Sequence, residues 1–384
     1  MKLPFKLFIL LTLLISQKNQ SQTLDTLVNV GNHKLHFNII KGIGTPILFE
    51  SSGGADSKIW DSILEPLSKI TGSTIITYDR AGHGKSTIDT SETDINKHGI
   101  ISLVEDLEKG LKKLGYDKEI ILVAHSYGGY LATLYATRHP KLVKSVVLID
   151  VNHNYMDKYG EEDVKSLEQY LPEMKEKFIG LYYQVSNERE TTKIMSTLSI
   201  PLDIPVVDFV AGIPLVKEAD KIEHWNECHK KFIQSHPKSI GIYAYECGHS
   251  IWNQNPSLVI ITIAKSFAET QNDKQKSIIY ERALTYAINS SNDVQKENKA
   301  SLENTLNDLG YELIYKNDNE KALETFKLNT VLFPSSSNAF GSYAEILAKL
   351  NMKEESIKMY QKSIELDSEN EDSKEALANL LSSK

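Results

Sequence analysis

The segment at residues 123–129 combines the residue types that a covalent, serine-based reaction needs. It places Ser126 between an apolar stretch and a helical one, with Ala124 and Gly128 as small flanking residues. A strained strand-to-helix turn of this kind exposes the serine hydroxyl, and small flanks let the strand and the helix approach each other. The spacing predicts a nucleophile elbow, with Ser126 as nucleophile and the Tyr127 N–H as a donor to a developing negative charge.

A serine hydroxyl is a weak nucleophile unless an adjacent base takes its proton. Among the eleven histidines, His249 is the best candidate, because it follows an apolar stretch in a loop before a closing helix. His125 and His83 also lie inside motifs. We expect His125 to point away from the reaction as a packing residue and His83 to belong to a loop scaffold. The sequence therefore predicts His249 as general base.

The chain around Ser126 alternates between apolar strands and helices, which predicts an α/β fold. The predicted strands are 35–40, 47–50, 74–78, 120–124, 143–149, 204–211 and 240–245, and the predicted helices are 98–114, 129–138 and 256–267. Continuous apolar strands separated by helices predict a mostly parallel sheet buried on both faces, with ligands at the carboxyl ends of the strands. The first two strands flank a turn rich in Gly and Pro and predict a hairpin. Charged and aromatic helical stretches at about 155–200 predict an inserted cap.

Three motifs resemble those of the α/β-hydrolase superfamily. Residues 78–86 resemble its D-R-x-G-x-G-x-S turn, residues 124–129 resemble its elbow, and residues 248–250 resemble its histidine segment. They occur in the family's order, and the resemblance covers roughly residues 30–270. It implies an α/β-hydrolase fold with a helical cap. It also implies a cofactor-independent serine hydrolase that cleaves a small-molecule ester or related acyl bond through an acyl-enzyme.

The resemblance leaves two choices for the carboxylate that orients the histidine. In the commonest family arrangement this acid follows the strand after the cap, but Leu215 occupies that place, and Glu218 is the nearest glutamate. Asp150 ends the strand after the elbow helix, where some relatives carry the acid. We favour Asp150 and keep Glu218 as the alternative, because the imidazole needs a carboxylate partner.

The second oxyanion donor is expected from residues 51–54, which stand where the family usually has His-Gly-x. Gly53 is the positional match. Ser52 replaces the usual glycine, which leaves the Gly54 N–H as an alternative donor. Backbone donors of this kind must be fixed at the point where negative charge develops.

Beyond about residue 275 the chain becomes helical and charged, which predicts a second domain at 275–384 after a hydrolase domain at 22–274. A 34-residue period aligns Gly310 with Ala344 and Phe326 with Tyr360, a spacing that resembles the tetratricopeptide repeat. The helix at 275–289 is expected to cap this stack or to dock it on the hydrolase domain. Such repeats bind a protein partner only if their concave face carries binding groups, and otherwise they simply pack.

The first 21 residues have the composition of a signal peptide, with Lys2 and Lys6 ahead of an apolar stretch at 7–15. This predicts an exported protein, periplasmic or secreted. No later segment reaches the length of a membrane span, so we expect no transmembrane anchor in the mature chain. Cys228 and Cys247 are the only cysteines, and the sequence leaves open whether they pair.

The charge pattern and the histidine spacing exclude other classes of site. The formal charge of −8 without a basic block argues against nucleic-acid binding. His224 and His229 lie five residues apart, off the i, i+4 spacing of a helical metal pair, and no metal site is predicted. The rival to an active hydrolase is an impaired hydrolase-fold protein that acts as a scaffold through its repeats, a reading favoured by the missing acid near Leu215.

Overall fold

The computed structural model describes residues 23–153, 155–244, 247–293 and 296–382. The predicted signal peptide at 1–21 lies outside these ranges, as does Tyr245 at the end of a predicted strand. Within the described ranges, every helix is too short or too polar to span a bilayer.

The described residues form one sheet of eight strands in the order β1-β2-β4-β3-β5-β6-β7-β8. The strands are β1 Thr23–Asn29, β2 Lys34–Ile40, β3 Ile47–Glu50, β4 Ile75–Asp79, β5 Ile120–His125, β6 Val143–Ile149, β7 Val206–Ala211 and β8 Ser239–Ala244. From β4 to β8 all neighbours are parallel. Strands β3, β4 and β5 are buried at every position, as a parallel sheet covered on both faces requires.

The predicted hairpin between the strands at 35–40 and 47–50 is wrong. Strand β2 pairs antiparallel with β1 and β4, whereas β3 pairs parallel with β4 and β5. Strand β3 is apolar at three of its four positions, which suits the centre of a parallel sheet. Strand β1 alternates between exposed residues and half-buried or buried ones, which suits the edge. The segment 41–46 therefore crosses over β4 rather than forming a tight turn.

Helices cover both faces of this sheet. The α-helices up to residue 268 are α1 Asp61–Thr71, α2 Ile100–Leu114, α3 Gly128–Arg138, α4 Met156–Glu168, α5 Leu171–Lys177, α6 Ile179–Ser186, α7 Glu188–Met195, α8 Ala219–Ser235, α9 Ile251–Gln254 and α10 Pro256–Ala268. On β5, Ile121 and Val123 pack with α1 and α10, whereas Ile120 and Leu122 pack with α2 and α3. Each strand therefore contributes to two apolar cores, because successive side chains point to opposite faces. Helices α4 to α7 stand between β6 and β7, where the sequence predicts a cap.

The remaining helices are α11 Asp273–Asp293, α12 Lys296–Tyr315, α13 Asn319–Leu332, α14 Ser337–Lys349, α15 Lys353–Leu366 and α16 Glu371–Ser382. Helices α13 and α15 begin at Asn319 and Lys353 and so keep the 34-residue spacing. Helix α11 packs against the core through Ile279 and Ala283. The region is helical throughout its described part, and its identity as tetratricopeptide-like repeats stays a prediction.

Helix α12 lies against strand β8 through polar contacts with its backbone. The Gly241 N–H donates to Glu312 Oε1 over 2.8 Å, and the Thr305 hydroxyl donates to the Tyr243 carbonyl over 3.2 Å. These side chains pair with backbone groups of a strand at the sheet edge.

Gly310 lets α12 and α13 approach closely, and this contact is testable. A methyl group at Gly310 would lie 2.4 Å from Cζ of the buried Phe326 ring. We expect Gly310→Ala to lower the free energy of unfolding by about 1–2 kcal/mol, because overpacking outweighs the better helix propensity of alanine. Urea unfolding measures this change. In the double variant with Phe326→Leu the loss should be smaller than the sum of the single losses, and additive losses would contradict the contact.

Candidate active site

Ser126 lies in the left-handed region of backbone conformation, between β5 and α3, with φ of 53°. Its N–H donates to the Ile149 carbonyl over 3.2 Å, and its side chain is half-buried. Such a conformation costs a non-glycine residue about 1–3 kcal/mol. This is the geometry that the sequence predicts for an elbow.

The glycines after Ser126 allow the start of α3 to touch the neighbouring strand ends. A methyl group at Gly128 would lie 2.7 Å from the Ser51 carbonyl oxygen, and one at Gly129 would lie 2.6 Å from Val151 Cγ1. Backbone atoms cannot move aside as a side chain can, so position 128 requires glycine. Ala124 is fully buried and takes the place of the glycine usual in the G-x-S-x-G pattern.

His249 contacts Asp150, the favoured of the two predicted carboxylates. Its Nδ1–H donates to Asp150 Oδ2 over 2.7 Å. Asp150 is fully buried and directly follows β6 with φ of 47°. Its Oδ1 accepts from the Ala211 N–H and from Trp225 Nε1–H, each over 3.1 Å. Glu218, the alternative, is exposed just before α8.

A carboxylate on Nδ1 orients the imidazole and leaves its Nε2 as the base. Asp150 has this position relative to His249. His125 lies behind the loop, where its Nε2–H donates to the His249 carbonyl over 3.0 Å and its ring packs on Trp252. Burial, together with the neighbouring His249, lowers the pKa of His125 well below its usual value, so the ring is neutral. His125 therefore packs behind the loop, as expected.

Arg80 holds the loop from which the second oxyanion donor is predicted. Its buried guanidinium donates to the Ser51 carbonyl over 2.6 Å and to the Ser52 carbonyl. The Ser52 carbonyl and the Gly53 N–H belong to one planar trans peptide and point in opposite directions. Arg80 therefore fixes the direction of the Gly53 N–H.

Glu50 lies below this guanidinium, 3.9 Å from it, and accepts a hydrogen bond from the Tyr78 hydroxyl over 2.7 Å. Burial raises the pKa of Glu50 to about 7, although Arg80 and Tyr78 oppose the rise. Glu50 and Arg80 thus form a buried polar pair next to residues 51–54, the oxyanion loop from which the second donor is predicted. The sequence analysis placed Arg80 in a turn that resembles the family's, but it did not predict this contact.

The cap rests directly on the same loop. Gln184 of α6 accepts the Gly54 N–H at its Oε1 over 3.1 Å, and a methyl group at Gly53 would lie 2.5 Å from Gln184 Nε2. The Gly54 N–H, the alternative oxyanion donor, is thus used by the cap. This arrangement favours Gly53 as the donor, while the left-handed φ of 69° at Gly54 favours glycine at that position.

A second polar cluster lies beside Asp150. Asp208 Oδ2 accepts from His153 Nε2–H over 3.0 Å and from His229 Nδ1–H over 2.8 Å. These are the described residues whose donor atoms, all within 4.8 Å of one another, could hold a metal ion. The separations are those of ordinary hydrogen bonds, so the cluster is accounted for without an ion. Sequence reasoning missed Asp208, although an aspartate in the middle of an apolar strand is a signal that could have found it.

Arg80→Lys tests the hold on the oxyanion loop. Lysine keeps the positive charge beside Glu50 but loses the fork that reaches two carbonyls. We expect labelling of Ser126 by a fluorophosphonate, which phosphonylates activated serines, to slow by about ten- to a hundredfold. Arg189→Lys on the surface of α7 is the control. An Arg80→Lys variant that labels at the wild-type rate would contradict this role.

Glu188 of α7 gives a prediction on stability against pH. Burial raises its pKa to about 8, against an ordinary value of 4.5. As pH rises from about 4.5 to 8, the unfolded chain releases this proton while the folded chain keeps it, so stability is lost. We expect Glu188→Gln to remove this loss and to gain on the order of a few kcal/mol over wild type at pH 8, with little gain at pH 5.

Urea unfolding at both pH values measures this difference. Glu190→Gln, an exposed neighbour in α7, is the control and should follow wild type. An equal effect of Glu188→Gln at both pH values would rule out the titration.

Residues 45–207, which include Ser126 and Asp150, match the family model described as alpha/beta hydrolase fold. The abhydrolase domain-containing protein abhd-5.2 of Caenorhabditis elegans is 31% identical over 105 residues, which are 27% of this chain and 23% of that protein. A proline iminopeptidase of Lactobacillus delbrueckii subsp. lactis is 32% identical over 130 residues, which are 33% of this chain and 42% of the peptidase. The chain spans less than half the length of these two curated relatives.

A mutant epoxide hydrolase of Vigna radiata has a similar structure, with a TM-score of 0.54 at 16% identity. The match covers 64% of this chain and 99% of the epoxide hydrolase. At this identity the likeness concerns the fold. The part of the chain that carries the sheet has the α/β-hydrolase fold, and its residues 45–207 match the model of that family.

Proposed function

We propose that this chain is a serine hydrolase that cleaves an ester or related acyl bond through an acyl-enzyme. The observation that carries the proposal is the 2.7 Å contact between His249 Nδ1 and the fully buried Asp150, at the same sheet edge as the left-handed turn of Ser126. Functional groups collect at the carboxyl ends of the strands in such sheets. The proposed nucleophile Ser126 follows β5, the proposed acid Asp150 follows β6, and the proposed base His249 lies in the loop after β8.

In the first half of the reaction, His249 Nε2 takes the Ser126 proton as Oγ attacks the acyl carbon. The carbonyl electron pair moves onto oxygen, and the N–H groups of Tyr127 and Gly53 stabilise this charge, each by roughly 3–4 kcal/mol. The tetrahedral intermediate collapses and expels the leaving group, which takes the proton from His249. Water, deprotonated by His249, then hydrolyses the acyl-enzyme and releases Ser126.

The serine nucleophile favours acyl substrates over epoxides. A serine oxygen that opened an epoxide would form an ether, which has no carbonyl for water to attack and would remain on the enzyme. An ester, a lactone or an amide would each give a hydrolysable acyl-serine. The fold shared with an epoxide hydrolase therefore does not carry that reaction to this chain.

We further propose that the hydrolase domain at 22–274 is exported and that the helices at 275–384 are tetratricopeptide-like repeats. The spacing of α13 and α15 and the close contact of Gly310 with Phe326 support the repeats. The charged and apolar composition of residues 1–21 supports export. If the hydrolase domain proves inactive, these repeats make a scaffold for a protein partner the alternative function.

Fluorophosphonate labelling of the chain without residues 1–21 tests the proposal. We expect Ser126→Ala to abolish labelling, and His249→Ala and Asp150→Asn to slow it by at least about a hundredfold, since each removes a member of one proton-transfer unit. Glu218→Gln, the matched carboxylate control, should label like wild type. Labelling that survives Ser126→Ala would contradict the nucleophile, and a folded wild type that does not label would favour the scaffold.

A further inference from the structure

The catalytic acid proposed above has a second imidazole on its buried side. Helix α8 places His229 Nε2 at 3.7 Å from Asp150 Oδ1, while His229 Nδ1 donates to Asp208 Oδ2 over 2.8 Å. The two carboxylates are 0% exposed and the imidazole is 1% exposed. His229 therefore lies between two buried aspartates and approaches Asp150 at Oδ1, whereas His249 binds Oδ2.

The fold brings these two carboxylates together. Asp150 directly follows β6, and Asp208 lies within β7 opposite Leu148 of β6. Two buried negative charges on neighbouring strands are costly unless a cation compensates them. Burial lowers the pKa of His229, but the charges of Asp208 and Asp150 outweigh burial and raise it above its ordinary value. A protonated His229 would compensate this pair of charges.

His153 does not supply this charge. Its Nε2–H donates to the same oxygen of Asp208, and its ring meets the His229 ring edge-on at 4.6 Å. Burial lowers the pKa of His153 in spite of Asp208, so this ring stays neutral. Among the residues that the structure describes, the charged or titratable groups that face His229 are Asp208 from β7, Asp150 from the end of β6, and His153 from the loop after β6.

We propose that His229 and Asp208 are positioning residues that extend the catalytic pair into a buried row, His249–Asp150–His229–Asp208. The row rests on the proposed hydrolase function. The positive charge of His229 weakens the attraction of Asp150 for the proton of His249. The His229 Nε2 is 3.7 Å from Asp150 Oδ1, too far for a hydrogen bond, so it acts on Asp150 through its charge.

The sign of the effect follows from the charges. Without the cation, the full negative charge of Asp150 stabilises protonated His249. A higher pH is then needed before His249 loses its proton and can act as the base. His229→Gln should therefore move the acid limb of the pH profile of labelling upward by about 0.5–1 pH unit. Labelling at low pH then falls by about three- to tenfold, whereas labelling on the alkaline plateau stays near wild type.

Asp208→Asn provides a second variant if His229→Gln does not fold. It removes the carboxylate that keeps His229 charged, so it should shift the profile in the same direction. Because both changes act through one cation, the double variant should shift no further than His229→Gln alone. His236→Gln, a change at the buried histidine that ends α8 and contacts the Pro201 carbonyl, is the matched control and should follow wild type.

The outcomes separate this inference from the proposed function. A folded wild type that does not label defeats the hydrolase proposal itself. A wild type that labels, with His229→Gln and Asp208→Asn profiles that superimpose on it, overturns only the buried row. So does a loss of equal size at every pH, which is what a merely structural role would give. Equimolar zinc in the purified wild type, lost in Asp208→Asn, would also overturn it by making the cluster a metal site.

Discussion

The complete burial of the Asp150 carboxylate constrains every part of the candidate site. A charge withdrawn from water needs partners on all sides, and the three hydrogen-bond donors to Asp150 come from three different elements. The Ala211 N–H comes from the end of β7, the Trp225 indole from α8, and the His249 imidazole from the loop after β8. These contacts set the position of the histidine relative to the sheet. A displacement of any of these elements would leave part of the carboxylate unpaired, so the site is held as a unit.

The oxyanion side of the site depends on backbone contacts. Arg80 binds the carbonyls of Ser51 and Ser52, and Gly128 lets the start of α3 come within contact of the Ser51 carbonyl. The donor loop and the nucleophile elbow are therefore fixed against each other through main-chain atoms, which have fewer alternative positions than side chains. Preorganisation of this kind is what makes a donor effective when charge develops. The cap adds a further contact through Gln184, which engages Gly54 and leaves the Gly53 N–H as the predicted donor.

The pattern of apolar residues along the chain predicts much of this fold, because strands and helices each have a characteristic spacing of apolar residues. The strands at 47–50 and 143–149 have their predicted bounds, and the turn at Ser126 has the predicted geometry. The hairpin prediction was wrong because pairing depends on burial across the whole sheet, and a nearby strand is not always a neighbour. Asp150 was favoured by its position at a strand end. The roles of Arg80, Gln184 and His229 could not be predicted, since each depends on a contact between segments distant in sequence.

Helix α12 of the C-terminal region covers the exposed edge of the sheet. Strand β8 ends the sheet, and an edge strand exposes unpaired N–H and C=O groups that invite association with other chains. Helix α12 covers that edge, where Glu312 accepts from Gly241 and Thr305 donates to Tyr243. These two side chains bind backbone groups that a further strand would otherwise pair with. This arrangement ties the helical region to the strand from whose end the His249 loop departs, so any partner that displaced α12 would act on the same strand that leads to the proposed base.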